Sequence, residues 1–203
     1  MRGLVWVFLL MGGPGLVWAG SPAPAAGRFL VATTQLDGPV FRQTVVLLVA
    51  ADETGAMGLV VNRPAPADRS GRGGSAEAAR GLFIGGPVMA GSLFVLFRDD
   101  RTAGEIGVDA GHVVDDVFVT TSADRLEALV KDGLDPARVR VYAGYAGWGP
   151  GQLEGEIARG DWKVQAATGA EIFTDRVEAL WERLAGPMAP LTARLYRPPA
   201  SGR

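Results

Sequence analysis

Hydrophobic residues along this chain fall in short unbroken runs more often than in helical stripes. Val45-Val46-Leu47-Leu48-Val49-Ala50 is a β-branched and leucine run, the pattern of a strand buried on both faces. Asp52-Glu53-Thr54-Gly55 turns the chain and Met57-Gly58-Leu59-Val60-Val61-Asn62 returns, which predicts an antiparallel hairpin ended by Arg63-Pro64. Phe29–Ala32, Leu82–Ile84, Leu93–Phe97, Val113-Val114, Val117–Val119, Val139–Ala143 and Trp162–Val164 read as further strands. Helical spacing is rarer. Thr121-Ser122 offers an N-cap for a helix with Leu126, Leu129 and Val130 on one face, closed by Gly133 and Pro136. Gln152 opens a helix whose inner face carries Leu153 and Ile157. Asp175 is expected to cap a last helix bearing Val177, Leu180, Trp181 and Leu184, stopped by Gly186-Pro187. Residues 65–80 keep no hydrophobic period and read as a loop. Strands in runs with single helices between them predict an α+β fold with a mostly antiparallel or mixed sheet.

The densest signal is Gly144-Tyr145-Ala146-Gly147-Trp148-Gly149-Pro150-Gly151-Gln152, where the strand ending at Ala143 runs into repeated glycines. Glycine takes positive φ without steric cost, so the spacing predicts a tight strand-to-helix turn, with Gly147 and Gly149 at the bend and Pro150 starting the helix. Tyr145 and Trp148 are expected to pack inward; exposed, they would rim a ligand site. The segment lacks the Lys-Ser/Thr ending of a phosphate loop, and Glu154 and Glu156, read as ordinary polar helix residues, would repel phosphate. Gly85-Gly86-Pro87 is a second glycine turn, taken as independent of the first. The candidate ligand-binding residues are therefore Gly85, Gly86, Tyr145, Gly147, Trp148, Gly149 and Gln152.

No catalytic set emerges. His112, the sole histidine, sits in a turn setting with no nucleophile to serve, Ser122 reads as a cap, and no Gly-x-Ser-x-Gly is present. Asp99-Asp100 and Asp115-Asp116 read as solvated turns, since adjacent strand residues point to opposite faces and seldom chelate together. No metal site and no cofactor are expected. With no cysteine, disulfides, thiol catalysis and lipoprotein acylation are out of reach. The net charge of −2 and the lack of a Lys/Arg run argue against nucleic acid as a partner, and Arg194, Arg197 and Arg203 read as part of a solvated C-terminal tail.

The N-terminus adds a compartment. Met1-Arg2-Gly3 leads an apolar stretch from Leu4 to Met11, Gly12-Gly13-Pro14-Gly15 breaks it, and Val17 and Ala19 stand at the −3 and −1 sites. This is the layout of a signal peptide cleaved after Ala19, too short and interrupted for a membrane span, so no stable anchor is expected after cleavage. The organisation reads as signal peptide 1–19, flexible spacer 20–27, a domain over 28–186 and a tail over 187–203.

Five segments carry a family resemblance: Phe29–Ala32 with Asp37-Gly38-Pro39-Val40-Phe41; Gly55–Pro64; Ile84-Gly85-Gly86-Pro87-Val88; Thr120-Thr121-Ser122-Ala123-Asp124; and Gly144–Ile157 with Trp162. In this order they resemble the AlgH/YqgE family. The resemblance implies a bifurcated sheet curled into a pseudo-barrel with flanking helices. It implies no catalytic residues, and a transcriptional-regulator label attaches to one family name. Family members usually begin at the first strand, whereas this chain carries a signal-like extension. The reading is thus an exported, periplasmic, non-enzymatic binding module with an unknown protein or small-molecule partner. The alternatives are a cytoplasmic regulator, if the extension is not a working signal, and an enzyme using the glycine-loop cleft.

Overall fold

One strand organises the molecule. The computed structural model describes residues 23–66 and 81–186; most of the 65–80 loop, the signal-like segment and the tail lie outside the described residues. The strands are β1 (Arg28–Ala32), β2 (Val45–Asp52), β3 (Gly55–Val60), β4 (Leu82–Ile84), β5 (Val88–Arg98), β6 (Ala110–Val114), β7 (Val117–Thr120), β8 (Val139–Trp148) and β9 (Trp162–Ala166). The helices are α1 (Ala103–Ile106), α2 (Ala123–Lys131), α3 (Gln152–Arg159), α4 (Gly169–Ile172) and α5 (Leu180–Ala185). They build a mixed sheet in the order β6-β7-β5-β8-β3-β2-β1-β9, curled into a half-barrel, with β4 added beside β8.

The sheet forks at β8. On one side β8 pairs antiparallel with β5. On its other side Val141–Ala143 pair parallel with β4, and Ala146–Trp148 pair antiparallel with β3. Gly85 closes the fork: its N–H donates to Ala143 O and its carbonyl accepts from Val60 N–H, both at 2.8 Å. Gly27, at φ 77 just before β1, lies so close to β6 that a Cβ would stand 2.7 Å from Val113 O.

The unbroken run of β2 has its explanation in two cores. Val45, Leu47 and Val49 face one cluster with Phe29, Leu59, Phe83, Tyr142 and Ile172. Val46 and Leu48 face a second with Leu30, Trp148, Leu153 and Trp162. Alternate residues thus enter opposite apolar layers, and no position is left to be polar. A third cluster joins Val95, Phe97, Ile106, Phe118 and Val139. Arg140 is buried between the Phe83 and Phe173 rings, its guanidinium 5.0 and 5.4 Å from their centres. Its Nη1 donates to Ile172 O at 2.7 Å and its Nη2 to Thr174 O, so it caps the carbonyl end of α4.

Several expectations change. β8 does not end at Ala143 but continues to Trp148, and β5 begins at Val88 rather than Leu93. The last helix starts at Leu180 with Ala179 as N-cap, so Asp175 caps nothing there. Ser122 does cap α2, accepting from Arg125 N–H, but Val130 on that helix is 50% exposed. Asp115-Asp116 is the β6–β7 turn, with Asp115 at φ 49, yet neither side chain is idle. Asp115 accepts from Gly169 N–H at 2.9 Å, and Asp116 pairs with Arg98 at 2.7 Å. His112 lies on β6, exposed, its Nε2 2.8 Å from Asp115 O.

Candidate binding cleft

β4 and β5 are consecutive but lie on opposite sides of β8, so the chain between them must cross over that strand. Gly85-Gly86 makes the crossing and Gly144 lies beneath it. A Cβ on Gly86 would stand 2.2 Å from Tyr145 C, one on Gly85 2.2 Å from Gly144 O, and one on Gly144 2.6 Å from Gly86 O and 2.8 Å from Val88 O. Gly144 also sits at φ 70. The two glycine segments are therefore not independent turns: they are the upper and lower halves of one backbone crossing. Beyond it β5 accommodates the cross-over with a wide bulge, residues 89–92 standing opposite Gly144 alone. The bulge projects Met89, at φ 47 and 62% exposed, beside Val88 at 36% and Leu93 at 43%.

Past the crossing, the β2–β3 hairpin, β8 and the start of β5 lie side by side, Met57 opposite Gly147 and Val88 opposite Tyr145, and line an open cleft of about 520 Å³. Of the sequence-derived candidates, Tyr145, Gly147 and Trp148 line it; Asp52, Met57 and Val88 complete its chemistry. Gly147 gives room to the Tyr145 ring, since a Cβ there would stand 3.1 Å from Tyr145 Cε2, and the ring meets Phe94 edge-on at 5.6 Å. Neither Gly147 nor Gly149 has positive φ; that role falls to Gly144 and Gly151. Gly85 and Gly86 are buried within the crossing and do not line the cleft. Gly149 and Gln152 do not line it either. Gly149 N–H donates to Gln152 Oε1 at 3.1 Å and Gly149 O accepts from Gln152 N–H at 3.1 Å, which tightens the turn into α3.

Behind the cleft wall lies a residue that sequence reasoning missed. Glu156 Oε2 accepts from both Trp148 Nε1 and Trp162 Nε1 at 2.8 Å, and its Oε1 accepts from Gln152 Nε2 at 3.0 Å. The two indoles stand edge to face at 6.1 Å, with Phe41 beside both. One carboxylate thus pins β8, α3 and β9 together. The signal was the i, i+4 spacing of Gln152 and Glu156 near two tryptophans, which need acceptors once buried. Burial pushes the Glu156 carboxyl up, but the hydrogen bonds from Trp162, Gln152 and Trp148, with Arg159 nearby, outweigh it and hold it below the usual value. A depressed folded-state value adds stability above the unfolded carboxylate range, lost as pH falls through the folded value. Melting temperature is therefore expected to fall on acidification in the wild type and to fall less in Glu156→Gln; equal pH slopes would refute this role.

Among the described residues, no three His, Asp or Glu side chains cluster as a metal site would require. The cleft offers an aromatic and apolar wall, one carboxylate and open access, which suits holding a partner.

These features define a forked α+β half-barrel with a surface cleft beside its backbone crossing. The AlgH-like family model matches residues 29–190, and the chain belongs to that family. It is 40% identical over 167 residues to a UPF0301 protein of Methylococcus capsulatus, covering 79% of this chain and 89% of that one. It is 41% identical over 144 residues to one of Paracoccus denitrificans, covering 67% and 75%. The solution structure of the AlgH protein from Pseudomonas aeruginosa superposes with a TM-score of 0.60 at 29% identity, over 88% of this chain and 100% of that one. The crystal structure of protein DIP2367 from Corynebacterium diphtheriae shares the fold, with a TM-score of 0.67 at 22% identity over 83% and 91%.

Proposed function

We propose that this chain is an exported binding module that holds a partner in the cleft between the β2–β3 hairpin and the β5 bulge. One observation carries the reading. Val88, Met89 and Leu93 make up half of the large apolar side chains exposed among the described residues, and they stand on one short segment beside the cleft that Tyr145, Gly147 and Trp148 line. Contiguous exposed apolar surface next to a concave site marks interaction surfaces. Export rests on residues 1–19, which have the charge, length and cleavage-site layout of a secretory signal.

Two measurements test the two halves. Residues 1–26 fused to a reporter are expected to carry it out of the cytoplasm; a reporter kept wholly inside would move the reading to a cytoplasmic role. A photo-crosslinking residue at position 89 of the full chain is expected to form discrete adducts in the cell. The same residue at Val108, which is fully exposed, is expected to form none. Equal adducts at both positions would remove the cleft from the reading.

A further inference from the structure

If the cleft is the binding surface, as proposed, its charge matters as much as its shape. Its lining contains one carboxylate, Asp52, and no lysine or arginine. Asp52 ends β2 and is followed by Glu53, so the hairpin tip that forms this wall is acidic. Asp52 Oδ1 accepts from Thr54 N–H at 2.7 Å and from Thr54 Oγ1 at 2.5 Å. These bonds fix the carboxylate's orientation and hold it below its ordinary range, so it is ionised at neutral pH. No base among the described residues forms an ion pair with it.

Opposite the acid the surface turns apolar. Met57, Val88 and the Tyr145 ring lie within the cleft, and Met89 and Leu93 extend the patch beyond its rim. From Gly81 to Phe97 the sequence has no charged residue, so this segment itself offers an apolar group no repulsion and an anion no attraction. Small residues, Ala50, Gly55, Ala56 and Gly147, leave the floor low. A compact amine filling the cleft would neutralise Asp52 but leave Met89 and Leu93 uncovered. A segment of chain running from the hairpin tip across the bulge covers both. Methionine suits such a surface because its unbranched side chain adapts to varied neighbours.

We propose that the cleft captures an extended polypeptide segment in which a lysine or arginine is flanked by apolar residues, the cation facing Asp52 and the apolar side chains facing Met57, Val88, Tyr145 and Met89. Nucleic acid is disfavoured by the same acid, and the openness of the groove suits a passing chain better than an enclosed small molecule.

The test uses the full chain and two fluorescent nonapeptides, identical except for a central lysine or glutamate between leucine and valine neighbours, with binding read by anisotropy. The lysine peptide is expected to bind roughly tenfold more tightly at low salt, attraction being exchanged for repulsion at an open site, with the difference shrinking as salt rises. Asp52→Asn keeps an acceptor for Thr54 and should preserve the hairpin; it is expected to weaken the lysine peptide about threefold and leave the glutamate peptide no weaker. Asp52→Lys is expected to reverse the preference. Ala50→Trp, which fills the cleft from an exposed position, is expected to abolish binding of both. Equal affinity for the two peptides, or no binding by either, overturns the proposal. If Ala50→Trp abolishes binding while Asp52→Asn changes nothing, the cleft stands and the cation assignment falls. If Ala50→Trp leaves binding intact, the cleft reading itself falls.

Discussion

Gly144→Ala is expected to lower stability by about 2–4 kcal/mol: about 1–2 for forcing an L-residue to positive φ and about 1–3 for overpacking, the two overlapping. The atoms in the way are backbone, Gly86 O and Val88 O, so no side chain can swing aside to relieve the contact. Against a total typically near 5–15 kcal/mol the change is large. For a domain of this size it corresponds to a drop in melting temperature of roughly 5–15 °C. Gly149→Ala provides the contrast, since a Cβ there meets nothing nearer than Gln152 Oε1 at 4.0 Å. That variant is expected to stay within about 0.5 kcal/mol of wild type. Denaturant titration of both decides the matter, and a Gly149 variant less stable than the Gly144 variant would refute the crossing as the critical constraint.

Trp148→Ala is expected to cost about 3–5 kcal/mol, the range for emptying a buried aromatic site. The ring is 6% exposed, packs with Phe41 and Trp162, and donates its N–H to Glu156. Trp148→Phe keeps most of the apolar volume but removes the donor, and is expected to cost less, about 1–3 kcal/mol. Urea midpoints of the two variants separate packing from hydrogen bonding. An alanine variant that melts like wild type would mean that the ring serves the cleft rather than the core.

Much of the fold was legible because its signals are local. The β2–β3 hairpin follows from an apolar run, a turn and a returning run, and α2 from its Ser122 cap. The mixed sheet followed from the order of strands, and the fork from the family motifs. What the chain did not disclose is long-range. Gly144 looks like the end of a strand because glycines usually punctuate; only the passage of Gly85-Gly86 above it explains a glycine inside β8. Glu156 looks like a surface helix residue because two tryptophans nearby in sequence do not by themselves say that both indoles turn toward one carboxylate. Asp175 looks like a cap because the apolar spacing begins two residues later, whereas the chain turns again before α5. At the cleft, Tyr145, Gly147 and Trp148 were visible as candidates, but Asp52, Met57 and Val88 come from distant segments, and only the pairing of β3 and β5 with β8 brings them in.

The place of β1 has a kinetic consequence. It is bonded on one side to β2 and on the other, over its whole length, to β9, with Phe29 opposite Gln165. β8, which joins β3, β4 and β5, also comes late in the chain. Neither the first hairpin nor the middle strands can complete their ladders until the last third of the polypeptide is present. Closing loops that long precedes any gain from the contacts they allow, so such topologies fold slowly. During synthesis β1 and β3 are therefore expected to stay paired on one side only until β9 and β8 arrive, so that the sheet closes once the whole chain is present.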